Sequence, residues 1–67
     1  MKYSFLESDK NEIKKYNKLI KLLQKRNIVY EAYDIHEWCG DYKIYFIVVT
    51  FDDKCYDSIK NEIDLIV

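Results

Sequence analysis

The chain has 67 residues, of which 49% are hydrophobic and 34% charged, with one Gly, no Pro and a net charge of −1. This length suits one domain, residues 1–67, near the lower limit at which a core is stable without a disulfide, a metal or a partner. The apolar content excludes intrinsic disorder, and the shortage of turn residues excludes a fold of many short strands. We therefore expect a few long elements and a tendency to self-associate.

No apolar run approaches the roughly 18 residues of a membrane span, and the first residues lack the apolar segment of a signal peptide. These features predict a soluble, cytoplasmic protein. The two cysteines, Cys39 and Cys55, are then expected to be reduced and unpaired, because disulfides are rare in the cytosol.

The first part of the chain predicts a strand followed by an amphipathic helix. Residues 2–6 alternate partly between polar and apolar side chains, as a strand does. Ser8 or Asp9 then has the residue type of an N-cap, and Asn27 has the type that ends a helix in the left-handed conformation. Between them, apolar residues recur at three- and four-residue intervals, and these are Ile13, Tyr16, Leu19, Ile20 and Leu23.

Two strand patterns follow. Residues 28–38 are rich in aromatic and β-branched side chains, and residues 42–51 are the most apolar run of the chain. The only Gly of the chain, Gly40, lies between them and predicts an antiparallel hairpin with a loop of two or three residues. This ambiguity leaves open whether Tyr45 lies opposite His36 or Ile35, because one residue more in the loop shifts the register.

A second helix is expected after the hairpin. Asp52 or Asp53 is suited to cap it. Its apolar stripe predicts which side faces the core, with the members Cys55 or Tyr56, Ile59, Ile63 and Ile66. Residues 64–67 either finish this helix or form a short strand beside the sheet.

The element order (β)αββα(β) predicts an α+β fold with a single-layer antiparallel or mixed sheet and two helices on one face, in a split βαβ or ferredoxin-like layout. A right-handed crossover is expected to place the first strand parallel to residues 42–51, which become the central strand. Residues 42–51 are apolar on both sides, so both sheet faces need cover. Because both helices are expected on one face, the other face should remain uncovered. We expect that face to carry Tyr45, Ile47 and Val49, or their neighbours in the other register.

Few residues are suited to catalysis. His36, Cys39 and Cys55 are fewer than the four ligands of a structural zinc site, and a single Gly cannot build a phosphate-binding loop or a nucleophile elbow. Three acids of the second strand are best explained as charges that prevent unwanted pairing of an edge strand, and these are Glu31, Asp34 and Glu37. We expect no enzyme activity, no cofactor and no metal.

Charge is divided along the chain. Residues 10–27 carry seven basic side chains and one acid, a balance of +6, whereas residues 28–67 carry −6. On a helix, five lysines lie together on the side opposite the apolar stripe, and we call them the lysine ridge: Lys10, Lys14, Lys18, Lys21 and Lys25. Such a surface attracts a phosphate backbone or an acidic protein. Nucleic-acid or nucleotide binding is therefore the alternative function.

Eleven aromatic residues, 16% of the chain, are more than a core of this size hides. Because Tyr and Trp are enriched at interfaces, the hairpin and the uncovered face predict a protein-binding surface, with the members Tyr30, Tyr33, Trp38, Tyr42, Tyr45, Ile47 and Val49. Base stacking on the sheet is a further possibility. The leading prediction is a non-enzymatic binding module, a homodimeric inhibitor that masks a partner protein, of the kind that phages and mobile elements use against host defences.

Overall fold

The computed structural model describes residues 1–67 and contains β1 (Lys2–Leu6), α1 (Lys10–Lys25), β2 (Tyr30–Cys39), β3 (Tyr42–Phe51) and α2 (Asp53–Ile66). The strands form one sheet in the order β1-β3-β2, and both neighbouring pairs are antiparallel. The α+β class, the element order and the central position of residues 42–51 are confirmed. The strand at residues 2–6 is confirmed too, whereas residues 64–67 form no further strand because α2 continues to Ile66.

The predicted direction of the first strand is wrong. β1 pairs antiparallel with β3, with Tyr3 opposite Val49 and Phe5 opposite Ile47, whereas a parallel pair was expected. The reason is that α1 connects β1 to β2, and these two strands run in the same direction because each is antiparallel to β3. β3 returns from the hairpin and is inserted between them, which is the split form of a βαβ unit.

Both helices begin at an aspartate cap. The Asp9 carboxylate accepts hydrogen bonds from the backbone N–H groups of Asn11 and Glu12 at 2.9 and 3.3 Å, and Asp52 accepts one from Lys54 at 2.8 Å. These bonds satisfy donors that the first turn of a helix leaves without an internal partner. The N-cap of α1 is therefore Asp9 and not Ser8, and the N-cap of α2 is Asp52 and not Asp53.

The end of α1 has the geometry of a Schellman motif. Asn27 has a φ of 56°, its N–H donates to the Gln24 carbonyl at 3.1 Å, and the Ile28 N–H donates to the Leu23 carbonyl at 2.9 Å. Ile28 also packs against the core cluster that contains Leu23, which is the apolar contact that accompanies this motif. The predicted left-handed stop at Asn27 is confirmed.

The hairpin turn has two residues, Gly40 and Asp41, between the paired Cys39 and Tyr42. Gly40 has a φ of 65° while Asp41 has a negative φ, as in a type II′ turn, which places Gly first. The two-residue loop decides the register that the sequence leaves open, and Tyr45 lies opposite His36.

The helices cover one face of the sheet. The buried core consists of Phe5, Leu19, Leu22, Leu23, Val49, Phe51, Ile59 and Ile63. Phe5 and Val49 lie on the same face because directly opposite residues of antiparallel strands, and residues two apart along one strand, share a face. The alternation of β1 determines which face this is, since aromatic Tyr3 and Phe5 point to the helices while Lys2 and Ser4 point away.

The uncovered face is therefore not the one that the sequence favours. Val49 is fully buried beneath the helices, and Tyr45 and Ile47 lie on the same side of β3. The uncovered face carries their neighbours instead, among them Phe46 and Val48. The physical reason is the pairing with β1, whose polar residues are tolerated only on the side that the helices leave open.

The motif at Asn27 predicts how substitutions there affect stability. Asn27→Gly should leave the free energy of unfolding unchanged or slightly higher, whereas Asn27→Ala should lower it by about 1 kcal/mol, because a left-handed backbone is costly for residues other than Gly and Asn. Urea denaturation measures both, with Lys21→Ala as a control in the middle of the same helix. Equal stability of the Gly and Ala variants would contradict the prediction.

Candidate functional site

The hairpin extends far beyond the rest of the sheet. β1 ends at Leu6, opposite Phe46. The last backbone hydrogen bond to β3 on this side runs from the Glu7 N–H to the Tyr45 carbonyl, at 3.1 Å. Beyond that bond, residues 36–45, which we call the hairpin arm, form backbone pairs only with each other. The molecule is elongated, with extents of 42 × 20 × 15 Å. A two-stranded hairpin is marginally stable by itself in water, so contacts between side chains across the arm contribute to its stability.

One side of the arm carries two cross-strand pairs. The Lys43 Nζ lies 5.0 Å from the centroid of the Trp38 ring, and the His36 and Tyr45 rings are 5.9 Å apart. The first pair is a cation–π contact, and both link the strands across the arm. Trp38 is nevertheless 66% exposed, so its ring remains accessible to another molecule.

The sheet face away from the helices, which we call the open face, consists of three rows that cross all three strands. Each row has a β3 residue between a β1 and a β2 residue: Lys2, Thr50 and Glu31 in the first row; Ser4, Val48 and Tyr33 in the second; Leu6, Phe46 and Ile35 in the third. Its centre is apolar and its first row is charged at both ends. Val48 is fully buried by its neighbours, while Tyr33 is 43% exposed.

The structure divides the predicted interface residues among three places. Tyr33 and Tyr42 lie on the open face and its continuation along the arm, whereas Trp38 and Tyr45 lie on the other side of the arm. The remaining three lie on the helix side of the sheet: Tyr30, Ile47 and Val49. Because Val49 is fully buried, its assignment to an accessible interface is wrong.

Sequence reasoning missed Phe46 and Ile35 as surface candidates. Phe46 faces away from the helices because of the pairing of β3 with β1, and Ile35 lies beside it only in the register that a two-residue turn produces. The signal for the position of Ile35 was the Gly40-Asp41 dipeptide, since Gly as the first of two loop residues is typical of a type II′ turn.

The lysine ridge is exposed along its whole length. The buried residues of α1 are Leu19, Leu22 and Leu23, on the side that faces the sheet. Five positive charges therefore follow the outer surface of one helix, as the sequence pattern predicts. The arm is separate from them and carries the acids Glu37 and Asp41.

The residues suited to metal binding or nucleophilic chemistry are not assembled. His36 and Cys39 lie on opposite faces of β2, and Cys55 is half-buried in α2. Both cysteines are unpaired, and no three His, Cys, Asp or Glu side chains are placed to hold a metal ion. The two surface depressions are open grooves, one of about 450 Å³ where residues 42–45 pass Glu7 and Ser8, and one of about 390 Å³ at residues 29–31 and 50–52.

Two carboxylates meet where β1 ends, which the sequence did not reveal. Asp34 and Phe5 flank Ile47 in the sheet, so Glu7, two residues after Phe5, reaches toward Asp34. Partial desolvation, followed by the hydrogen bond to Asp34 and the repulsion from it, raises the pKa of Glu7 above its ordinary value of 4.5. The pair therefore opposes the folded state when both groups are charged.

This pair predicts a pH dependence of stability. A raised native pKa means that the folded chain binds the proton more tightly than the unfolded chain, so the stabilising contribution is full below pH 4.5 and is lost as the pH rises through the raised value. Glu7→Gln should stabilise the fold at neutral pH, and the gain should shrink toward acidic pH. Urea denaturation over a pH series measures this, with Glu37→Gln on the opposite face as the control; the same response in both variants would contradict it.

Neither helix has both the length and the apolar composition required to cross a membrane. No protein-family model, curated protein or solved structure matches the chain. The arm, the open face and the lysine ridge are the exposed surfaces of the chain that bear on its function.

Proposed function

We propose that this chain is a non-enzymatic protein-binding module that masks the surface of a partner protein, as an inhibitor does, and that it works as a homodimer. The observation that carries the proposal is the hairpin arm, where Trp38, Tyr42 and Tyr45 are 66%, 63% and 46% exposed. Exposed aromatic rings are unfavourable in water and are among the side chains that contribute most to binding. Concentrated on a projecting arm, they favour a contact function.

The shape of the arm favours a cleft or a sheet edge as its target. A two-stranded ribbon is narrow enough to enter a groove, and the outer edge of β2 has no neighbouring strand, so it offers backbone donors and acceptors to an added strand. The two acids of the arm, Glu37 and Asp41, outnumber its one lysine, Lys43, and this balance suits a partner with basic residues around that groove.

An enzyme fits these features less well than a binding module. The two grooves are open to solvent, and His36 and Cys39 lie on opposite faces of β2. Two free thiols, with Cys39 exposed near the tip of the arm, suit a reducing compartment such as the cytoplasm. We extend the proposal to a phage or mobile-element protein that blocks a host defence, on the basis of small size and composition.

Removal of the Trp38 side chain tests the proposed function. The wild type, Trp38→Ala and the control Leu65→Ala are immobilised and used to capture protein from the native host, and the captured partner is then purified for titration. Trp38→Ala should weaken binding about 30-fold, because a central aromatic contributes about 2 kcal/mol or more. Leu65, 88% exposed on α2, should be replaceable without effect.

Circular dichroism establishes that the Trp38→Ala chain is folded before binding is compared. Equal affinity of the Trp38→Ala and Leu65→Ala variants for the purified partner would contradict a role for the arm.

The lysine ridge supports a second candidate, the binding of nucleic acid. All five lysines are exposed and none forms an ion pair, so they are available to phosphates. Since Lys binds phosphate without reading sequence, any such binding would be general and sensitive to salt.

Salt dependence tests this second candidate. If all five lysines contact phosphates, affinity for duplex DNA should fall roughly 500-fold between about 50 and 200 mM salt, and Lys14→Glu with Lys18→Glu should lower the slope by about two. The matched control is Lys54→Glu with Lys60→Glu on α2, outside the ridge. Absence of binding to DNA and RNA at low salt would exclude this candidate.

A further inference from the structure

We infer that a second copy of this chain packs on the open face, sheet against sheet. The two copies are related by a two-fold axis that runs parallel to β3 and lies midway between the two sheets. This inference rests on the homodimer of the proposed function and identifies its surface and symmetry. Its evidence is the arrangement of the three rows of the open face, whose two ends are complementary to each other.

Rotation about this axis keeps the direction of the strands but reverses their order across the sheet of the second copy. β3 then lies over β3, and β1 of each copy lies over β2 of the other. Each row of the open face therefore meets the same row in reversed order, because the rows cross the strands at right angles to the axis. Two sheets that pack in this way remain about 10 Å apart, with their strands about 30° from parallel.

The reversed rows are complementary in charge and in size. In the first row, Lys2 meets Glu31 of the second copy, and the symmetry repeats this contact. In the second row, the small Ser4 meets the large Tyr33, which is 43% exposed and therefore projects from the sheet. Opposite charges and small-to-large pairs of this kind are what a specific interface requires.

The third row supplies the apolar part of the proposed interface. Leu6 meets Ile35, both half-buried in the single chain, and Phe46 meets its own counterpart on the axis. These side chains lie midway along the open face and its continuation on the arm, and the charged ends of the first row lie at the rim. An apolar centre with a polar rim is the usual organisation of a protein interface.

The other two-fold arrangement of the same faces is unfavourable. An axis perpendicular to β3 through the Val48 row sets Lys2 against Leu6 and Glu31 against Ile35 of the second copy. Each charge would then be buried against an apolar side chain without a partner, which is costly. The pattern of the open face therefore selects the axis along β3.

The size of the face predicts a reversible dimer. The open face and its continuation along the arm together consist of two ten-residue strands, about 33 Å long and 4.8 Å apart, and the shorter β1. Their projected area is roughly 400 Å² per copy. This area is at the low end for specific interfaces, where association is weak and transient. We therefore expect a dissociation constant in the micromolar range.

Complementary charge reversal tests the surface and the axis together. Lys2→Glu and Glu31→Lys each place like charges opposite one another at two points of the dimer, so each variant alone should dissociate about tenfold or more readily than the wild type. An equimolar mixture of the two variants restores opposite charges at both points and should dimerise like the wild type. Sedimentation equilibrium measures the dissociation constant of each variant and of the mixture, for comparison with the wild type. The purification tag is placed at the C-terminus, away from Lys2.

The control is Lys54→Glu and Asp57→Lys, two exposed positions on α2, whose mixture should behave like each variant alone. Circular dichroism establishes that every variant is folded. A wild-type chain that stays monomeric at high micromolar concentration overturns the inference, and so does a dimer that neither variant weakens or that the mixture fails to restore.

The proposed partner binding is separable from this result. Trp38 lies on the side of the arm away from the open face, so the Trp38→Ala chain should dimerise like the wild type while it loses the partner. A monomeric wild type that still binds the partner through Trp38 overturns the dimer alone, whereas a dimer without that dependence overturns the role of the arm alone.

Discussion

The pairing of β3 with both of its neighbours is the constraint on which the other surfaces depend. The two-residue turn at Gly40 sets the register with β2, and the aromatic alternation of β1 sets the side to which the helices pack. Because side chains alternate between faces along a strand, a shift of one residue would exchange the core and the surface. For this reason the Val49 side chain lies in the core, whereas the Val48 side chain belongs to the open face.

A difference in strand length produces the second feature, the hairpin arm. β3 has 10 residues whereas β1 has 5, so about half of the central strand continues with β2 as its only neighbour. The end of β1 brings Glu7 to Asp34, and the two carboxylates repel each other when both are charged. The same point of the fold thus joins the stable three-stranded part to an arm that is marginal by itself.

The sequence predicts the elements better than their arrangement, for local reasons. The aspartate caps and the left-handed Asn27 are determined by residues close in the chain, and the structure bears them out. The predicted stripe of α1 is confirmed except at Ile13, and the core also includes Leu22. The direction of β1 and the choice of covered face depend on contacts between residues about 45 apart, such as Tyr3 with Val49. Glu7 and Asp34 approach only through that pairing, so no local pattern indicated them.

The dimer and the partner contact that we propose are geometrically compatible. An axis along β3 points both arms in one direction and covers the open face, including Tyr33, while Trp38 and Tyr45 of each copy face outward. The helices then form the two outer layers, and their lysine ridges lie on opposite surfaces of the dimer. A partner that lies across the paired arms would meet two sets of aromatic side chains at once, which strengthens binding without any additional type of contact. Weak self-association is sufficient for this, because a partner that binds both arms also stabilises the dimer.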